Sequence, residues 1–471
     1  MISSRLALER AASFANPVAR FRRGSGSLFN ISVYTFGMSG VWTGYGSILL
    51  QFKATEIAAG DGVSMVGWTL DKTALAAFIS LIGLGIAAVV QPLVGVLSDR
   101  QVGMVSLRRY PFIILGMLGL AVSTLMFGFV NSFLALLLVT VAMQVTGNTA
   151  QGPANALIID HVDDRERGRA SGYLNLMRLI GSGLVAMIVV FLMSNYDVED
   201  APQWLWYSVI VMVAVLLATT FYTLLALRVR RDRSGTHSVP HSPAPLDSRL
   251  RGNDGLRRDD EELRGMAGGI AEEWNRVRYY FFLLGMAILI AAMSATQTNA
   301  VFFVQDVIGL ENPARGGNYI LLALVGSAGV VVYPAGKLSD HIGRGVLLLM
   351  SGVMGAVGVV SLLLLDADSL LEVIPGVIGI GISVGIYLSV AWAVANDLVR
   401  RSRAAGDLGL TSISGLIGAI AGRSSGFFIG GLNERGLDWG IDYLGYGVLL
   451  GSAGLAFLVS GVVFWLVVRN D

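Results

Sequence analysis

The chain has 471 residues, 54% of them hydrophobic and 14% charged, with a mean hydropathy of +0.66, a formal net charge of +1, 59 Gly and no Cys. A soluble globular chain is about one quarter charged, so this composition excludes one and indicates a protein embedded in lipid, where frequent Gly suits close helix–helix approach. The near-neutral charge speaks against nucleic acid as a partner, and the absence of Cys excludes disulfides, thiolate chemistry and a Cys-based metal site.

Residues 1–27 carry Arg5, Arg10, Arg20, Arg22 and Arg23 and no apolar run followed by a cleavage site, which reads as a cytoplasmic N-terminal arm. Apolar stretches long enough to cross a bilayer follow at about 28–51, 73–97, 110–130, 133–159, 170–193 and 203–227. The fourth carries Gln144, Asn148, Gln151 and Asn155, whose steps of four, three and four place all four amides on one helical face. A short charged turn leads into the fifth, where Ser171, Asn175, Arg178 and Ser182 repeat that spacing. Arg178 lies about nine residues beyond the turn, which at roughly 1.5 Å per residue is on the order of 13 Å deep. In a hydrocarbon layer about 30 Å thick that is near the middle, where a guanidinium marks a functional site by default.

The segment 228–278 breaks the pattern with 11 Arg, 9 acidic residues and Pro240, Pro243 and Pro245, a composition that cannot bury a core and reads as a disordered cytoplasmic linker. Its LDSRLRGNDG run resembles translated bacterial intergenic repeats. Six more spans follow at about 279–304, 319–338, 346–365, 370–396, 408–432 and 443–468. Placing both termini and the even-to-odd turns on one side gathers 28 of the 34 basic residues there, so both termini are expected in the cytoplasm. The expected fold is an all-α membrane protein of twelve transmembrane helices in two pseudo-symmetric six-helix bundles, 28–227 and 279–471.

The two halves repeat each other. Gly95-Val-Leu-Ser-Asp-Arg100 after the second span matches Gly336-Lys-Leu-Ser-Asp340 after the eighth, Ala156–Asp160 matches Ala393–Asp397, and Leu179-Ile-Gly181 matches Leu416-Ile-Gly418. Repeats with a binding site between them are the usual build of secondary transporters. The second turn, with Gly336, Leu338, Asp340, Gly343 and Arg344, resembles the GxLxDxxGR motif of the major facilitator superfamily. The first, with Gly95, Leu97, Asp99 and Arg100, departs from it after Arg100. The resemblance implies a gate in which these carboxylates latch the inward helix ends. Gln151–Asp160 is similar to the QGPxRALxxD segment of sucrose transporters and related glycoside–cation symporters, with Asn155 in place of the family Arg. The stretch 405–418 is similar to their GxSLGxxNIxxxxPQ, while Ala391 stands where bacterial relatives often have an acid.

If the resemblance holds, spans 1, 4, 7 and 10 line a central cavity. They offer Tyr34, Trp42, Thr43 and Tyr45, the amides Gln144, Asn148, Gln151 and Asn155, then Ser294, Gln297, Thr298 and Asn299, and finally Ser383, Tyr387, Ser389 and Trp392. Neutral amides, hydroxyls and rings suit a polyhydroxylated ligand, because rings stack on sugar C–H faces and amides form paired hydrogen bonds. Arg178 and Arg423 are the two intramembrane cations. No acid falls clearly mid-span, so the coupling candidates are the helix-end residues Asp160, Asp306 and Asp397.

No nucleotide-binding loop, metal constellation or cofactor motif is present, so no cofactor and no enzymatic activity are expected. The expectation is a monomeric carrier of the inner membrane, importing a sugar or glycoside with a proton by alternating access. The rivals are a carrier of an amphipathic or anionic molecule, in either direction, and a non-transporting carrier-like sensor or assembly factor.

Overall fold

A computed structural model describes residues 28–469 except 61, 66–67, 101–108, 156, 158–166, 200, 235–257, 310–312, 365–369 and 399–403. The N-terminal arm 1–27, Asp160 and the middle of the linker lie outside the described residues, as do the side chains of Asp99, Arg100, Asp340, Trp392 and Asp397.

Among the described residues, eleven helices are long and apolar enough to cross a membrane. The first expected span is also helical, but in pieces: a stretch at 28–32, α1 (Tyr34–Gly44), a π-turn (Tyr45–Leu49) and α2 (Leu50–Ile57). Gly44 and Gly46 bracket the start of the π-turn, and Gln51 answers its irregularity by donating Nε2–H to the Gly46 carbonyl at 2.9 Å. A short antiparallel hairpin, β1 (Val63–Met65) with β2 (Trp68–Leu70), follows. Sequence periodicity did not reveal it, since three-residue strands are too short to show alternation. Then come α3 (Lys72–Arg100), α4 (Tyr110–Met126), α5 (Phe133–Asn155), α6 (Arg167–Met193) and α7 (Gln203–Ser234).

Beyond the linker lie α8 (Arg258–Asp306), α9 (Pro313–Ile342), α10 (Arg344–Leu363) and α11 (Leu370–Leu398). The expected eleventh span is interrupted at Ser424–Ser425 into α12 (Ala404–Arg423) and α13 (Gly426–Asp438), and α14 (Leu444–Val468) completes the set. The segment read as a disordered linker, 228–278, is helical at both ends, because α7 continues to Ser234 and α8 already begins at Arg258. Asp259, Asp260, Glu261 and Glu262 at the start of α8 suit the positive end of a helix dipole, and the Leu, Met, Ala and Glu residues that follow are strong helix formers.

The chain forms two compact units, Met1–Ile57 with Ile82–Gly235, and Ala58–Leu81 with Thr236–Asp471. The division differs from the linker boundary at one place, since the hairpin and the first turns of α3 belong to the second unit. Thr73 donates its hydroxyl to the Gly426 carbonyl at 2.9 Å, and Lys72 pairs with Asp306 at 2.5 Å.

Within each unit the repeated Leu-Ile-Gly does the same work. A Cβ on Gly181 of α6 would fall inside contact distance of the Phe36 backbone of α1, and one on Gly418 of α12 would meet the Ala287 carbonyl of α8. Two helices cross there at backbone contact, the packing that small residues allow in lipid. Gly343, between α9 and α10, has φ +89°, a conformation that only glycine adopts readily. That explains the Gly in the second turn motif independently of any gating role.

Candidate functional site

In the first unit, α1, α5 and α6 enclose a hollow of about 260 Å³. From α1 it is lined by Tyr34, Thr35, Met38, Ser39, Trp42 and Thr43, from α5 by Gln151 and Asn155, and from α6 by Arg178 and Ser182. Every helix contributes in steps of four: 34, 38 and 42; 35, 39 and 43; 151 and 155; 178 and 182. One face of each helix therefore looks inward. Pro153, inside α5, has no N–H to give the Thr149 carbonyl, so the backbone beside Gln151 and Asn155 lacks one helical bond.

Fixed contacts hold the lining in place. Tyr34 is almost wholly buried, its backbone N–H donates to Thr223 Oγ1 of α7 at 3.1 Å, and its phenol donates to Asn155 Oδ1 at 3.0 Å. The Trp42 ring lies against Gly147 of α5, where an added Cβ would stand 2.5 Å from Cζ2. Its indole Nε1–H is buried without a hydrogen-bond partner among the described residues. Thr35 donates its hydroxyl to the Ser32 carbonyl at 2.6 Å, with the Leu174 carbonyl at 3.2 Å as an alternative acceptor.

Arg178 is the one charged residue of the lining among the described residues. Its hydrogen bond to Asn175 Oδ1 spans 3.5 Å, the outer limit for such a bond. Neither the Lys53–Glu56 nor the Lys72–Asp306 ion pair reaches it. The cost of a guanidinium at this depth is lowered by its facing the hollow, and no carboxylate among the described residues shares it.

Of the sequence candidates, the hollow brings together Tyr34, Trp42, Thr43, Gln151, Asn155, Arg178 and Ser182. The amide face of α5 is divided between two tasks. Asn148, 3% exposed, donates Nδ2–H to the Gln144 carbonyl at 2.8 Å and to Gln144 Oε1 at 3.0 Å, so these two amides serve each other. Tyr45 is buried away from the lining, bonded to Thr140 Oγ1 at 2.6 Å and packed edge-on against Phe127. Thr35, Met38 and Ser39 were not singled out from the sequence. Stepping back by four from Trp42 and Thr43 reaches Met38 and Tyr34, Ser39 and Thr35, and that register was available.

In the second unit, Gln297 is exposed and Asn299 is buried. Asn299 donates Nδ2–H to the Ala295 carbonyl at 2.9 Å and to Ser425 Oγ at 3.2 Å, while its Oδ1 has no partner among the described residues. Tyr387 packs inward against Phe464, with centroids 6.1 Å apart. Arg423, half-buried, ends α12 at the serine break. Asp306 has both oxygens engaged, Oδ1 by Lys72 at 2.5 Å and Oδ2 by the Tyr446 phenol at 2.7 Å. Gly95 and Gly336 lie in α3 and α9, and Arg344 opens α10. Among the described residues no three His, Cys, Asp or Glu side chains gather as metal ligands.

The family model of the Major Facilitator Superfamily matches residues 28–423, most of the chain. The chain belongs to this superfamily. A comparison with curated proteins finds no match. Solved structures agree on the fold. A bacterial homolog of the human lysosomal transporter Spinster, in an inward-facing and unoccupied conformation, aligns with TM-score 0.60 at 18% identity over 95% of this chain and 97% of its own. A structure from a study of substrate recognition in proton dependent oligopeptide transporters aligns with TM-score 0.64 at 14% identity, over 94% of this chain and 98% of its own. The nucleoside transporter NupG aligns with TM-score 0.58 at 16% identity, over 93% and 99%. At these identities the likeness establishes architecture alone. The superfamily member is an all-α, multi-pass membrane protein with the major facilitator fold.

Proposed function

We propose that this superfamily member is a secondary transporter of the cytoplasmic membrane, with both termini in the cytoplasm, moving a small polar solute by alternating access. The observation that carries the reading is the hollow of the first unit, where amides, hydroxyls, the Trp42 side chain and an exposed guanidinium line one space. Polar groups in lipid that merely stabilise helix packing satisfy one another, as Gln144 and Asn148 do. Trp42 Nε1 has no such partner among the described residues, and Arg178 reaches Asn175 only at 3.5 Å. At about 260 Å³ the space is slightly below the usual range of about 300–1,000 Å³ for drug-sized ligands, which suits a compact solute.

A polyhydroxylated cargo such as a sugar or glycoside, taken up with a proton, agrees with the neutral amide and hydroxyl lining. A second reading, an anionic cargo, is favoured by Arg178 facing the hollow with no carboxylate beside it among the described residues. The test is solute exchange in proteoliposomes loaded with sugars, glycosides, organic acids and amino acids. The proposal predicts that the protein accelerates loss of at least one solute class over protein-free liposomes, and that Arg178→Ala removes the acceleration while the variant still inserts. An inward proton gradient that drives accumulation supports proton coupling. No accelerated loss of any class contradicts the transport reading.

A further inference from the structure

The hollow carries a cation with no matching anion among the described residues, and that imbalance names a class of cargo. Tyr34 donates to Asn155 Oδ1, which leaves a ligand the Asn155 amide nitrogen as a donor and the second lone pair of Oδ1 as an acceptor. The Arg178 guanidinium only donates, and its contact to Asn175 at 3.5 Å leaves most of its five N–H groups unclaimed. Asn155 and Arg178 come from two different helices and line one space in which no carboxylate is found among the described residues. Gln151 and Thr43 add groups able both to give and to accept.

A neutral sugar matches the amides and hydroxyls but leaves the guanidinium unmatched. A cargo that seals the hollow takes water from a guanidinium that is exposed in this structure, and a neutral one supplies no counter-charge in return. An oxyanion supplies acceptors alone and pairs with Arg in a fork geometry. From this we infer that the cargo is a hydroxylated oxyanion of monosaccharide size, its carboxylate or phosphate held by Arg178, and its hydroxyls held by Gln151, Asn155 and Thr43. The inference rests on the transport reading above, and it narrows the solute to one charge class.

Purified full-length protein in detergent is tested by thermal shift and calorimetry against sodium D-glucuronate, D-glucose 6-phosphate and D-glucose. The expected result is stabilisation by one of the two anions and none by glucose at equal concentration, and which anion binds distinguishes carboxylate from phosphate. Arg178→Gln is expected to weaken that anion about tenfold or more, the loss of a charge-assisted pair, with Arg178→Lys retaining part of the binding. Should Arg178→Gln not fold, the preference of the unaltered protein for anion over glucose decides the matter. Glucose binding as well as the anions, binding by none of the three probes, or undiminished anion binding in a folded Arg178→Gln overturns the inference. The exchange assay in proteoliposomes reads the transport function separately, and a neutral solute exchanged there leaves that reading standing while this one falls.

Discussion

A guanidinium near the middle of a bilayer persists only where its surroundings offset the loss of water. Arg178 lines the hollow and is exposed there, and no carboxylate among the described residues lines it beside the guanidinium. A second polar cluster in the same unit shows the contrasting case. Lys53, 4% exposed, pairs with Glu56 at 2.6 Å, and Tyr196 donates its phenol to the other Glu56 oxygen at 2.5 Å. Burial, then the hydrogen bond to Glu56 and the charges of Glu56 and Asp197, hold the Tyr196 phenol well above its usual pKa. The unfolded chain loses this proton from about pH 10 upward while the folded chain keeps it, so the contribution is present below that pH and fades as pH rises further. Tyr196→Phe is expected to cost about 1 kcal/mol at neutral pH and to flatten the alkaline loss of stability, both read from melting temperature against pH. An unchanged melting temperature at pH 7 means that the bond carries nothing. Residues of this kind were legible in the sequence only as types. Arg178 declared itself by depth, but nothing in the spacing of Gln144, Asn148, Gln151 and Asn155 foretold that the first two would bond each other and the last two would face the hollow.

At the scale of elements, the sequence spoke through its repeats. Leu179-Ile-Gly181 and Leu416-Ile-Gly418 are 237 positions apart, and both glycines sit at a backbone-to-backbone crossing within their own unit. Gly181→Ala and Gly418→Ala are each expected to cost about 1–3 kcal/mol by forcing the crossing open, measured as lower melting temperatures in detergent. A variant as stable as the parent shows that the crossing relaxes freely. Helix existence followed from hydropathy, because an apolar run of some twenty residues has few other fates in lipid. Interruptions did not follow, since the π-turn at Tyr45–Leu49 and the break at Ser424–Ser425 fall inside runs whose hydropathy is uniform. The hairpin at 63–70 escaped for the opposite reason, lying in a short loop with too few residues to show a period. The helical start of α8 escaped because its charge outweighed its helix propensity in a reading based on composition.

For the whole molecule, the superfamily was legible from two turn motifs in register, and the match over 28–423 bears that out. The cargo was not legible, because it depends on which hydrogen-bonding atoms remain unclaimed, a property of packing rather than of residue type. The polar stretch 236–257 lacks the apolar residues to build a core, so its deletion is expected to leave both insertion and solute exchange unchanged. Loss of exchange with normal insertion shows a further role for it.

The central claim is that the hollow beside Arg178 is a wet compartment opened in turn to each face of the membrane. Because the chain contains no Cys, Thr43→Cys places a single thiol in the lining of that hollow. The account predicts that a membrane-impermeant maleimide labels this thiol both in right-side-out and in inside-out vesicles. Labelling from neither face, or from one face alone, contradicts it.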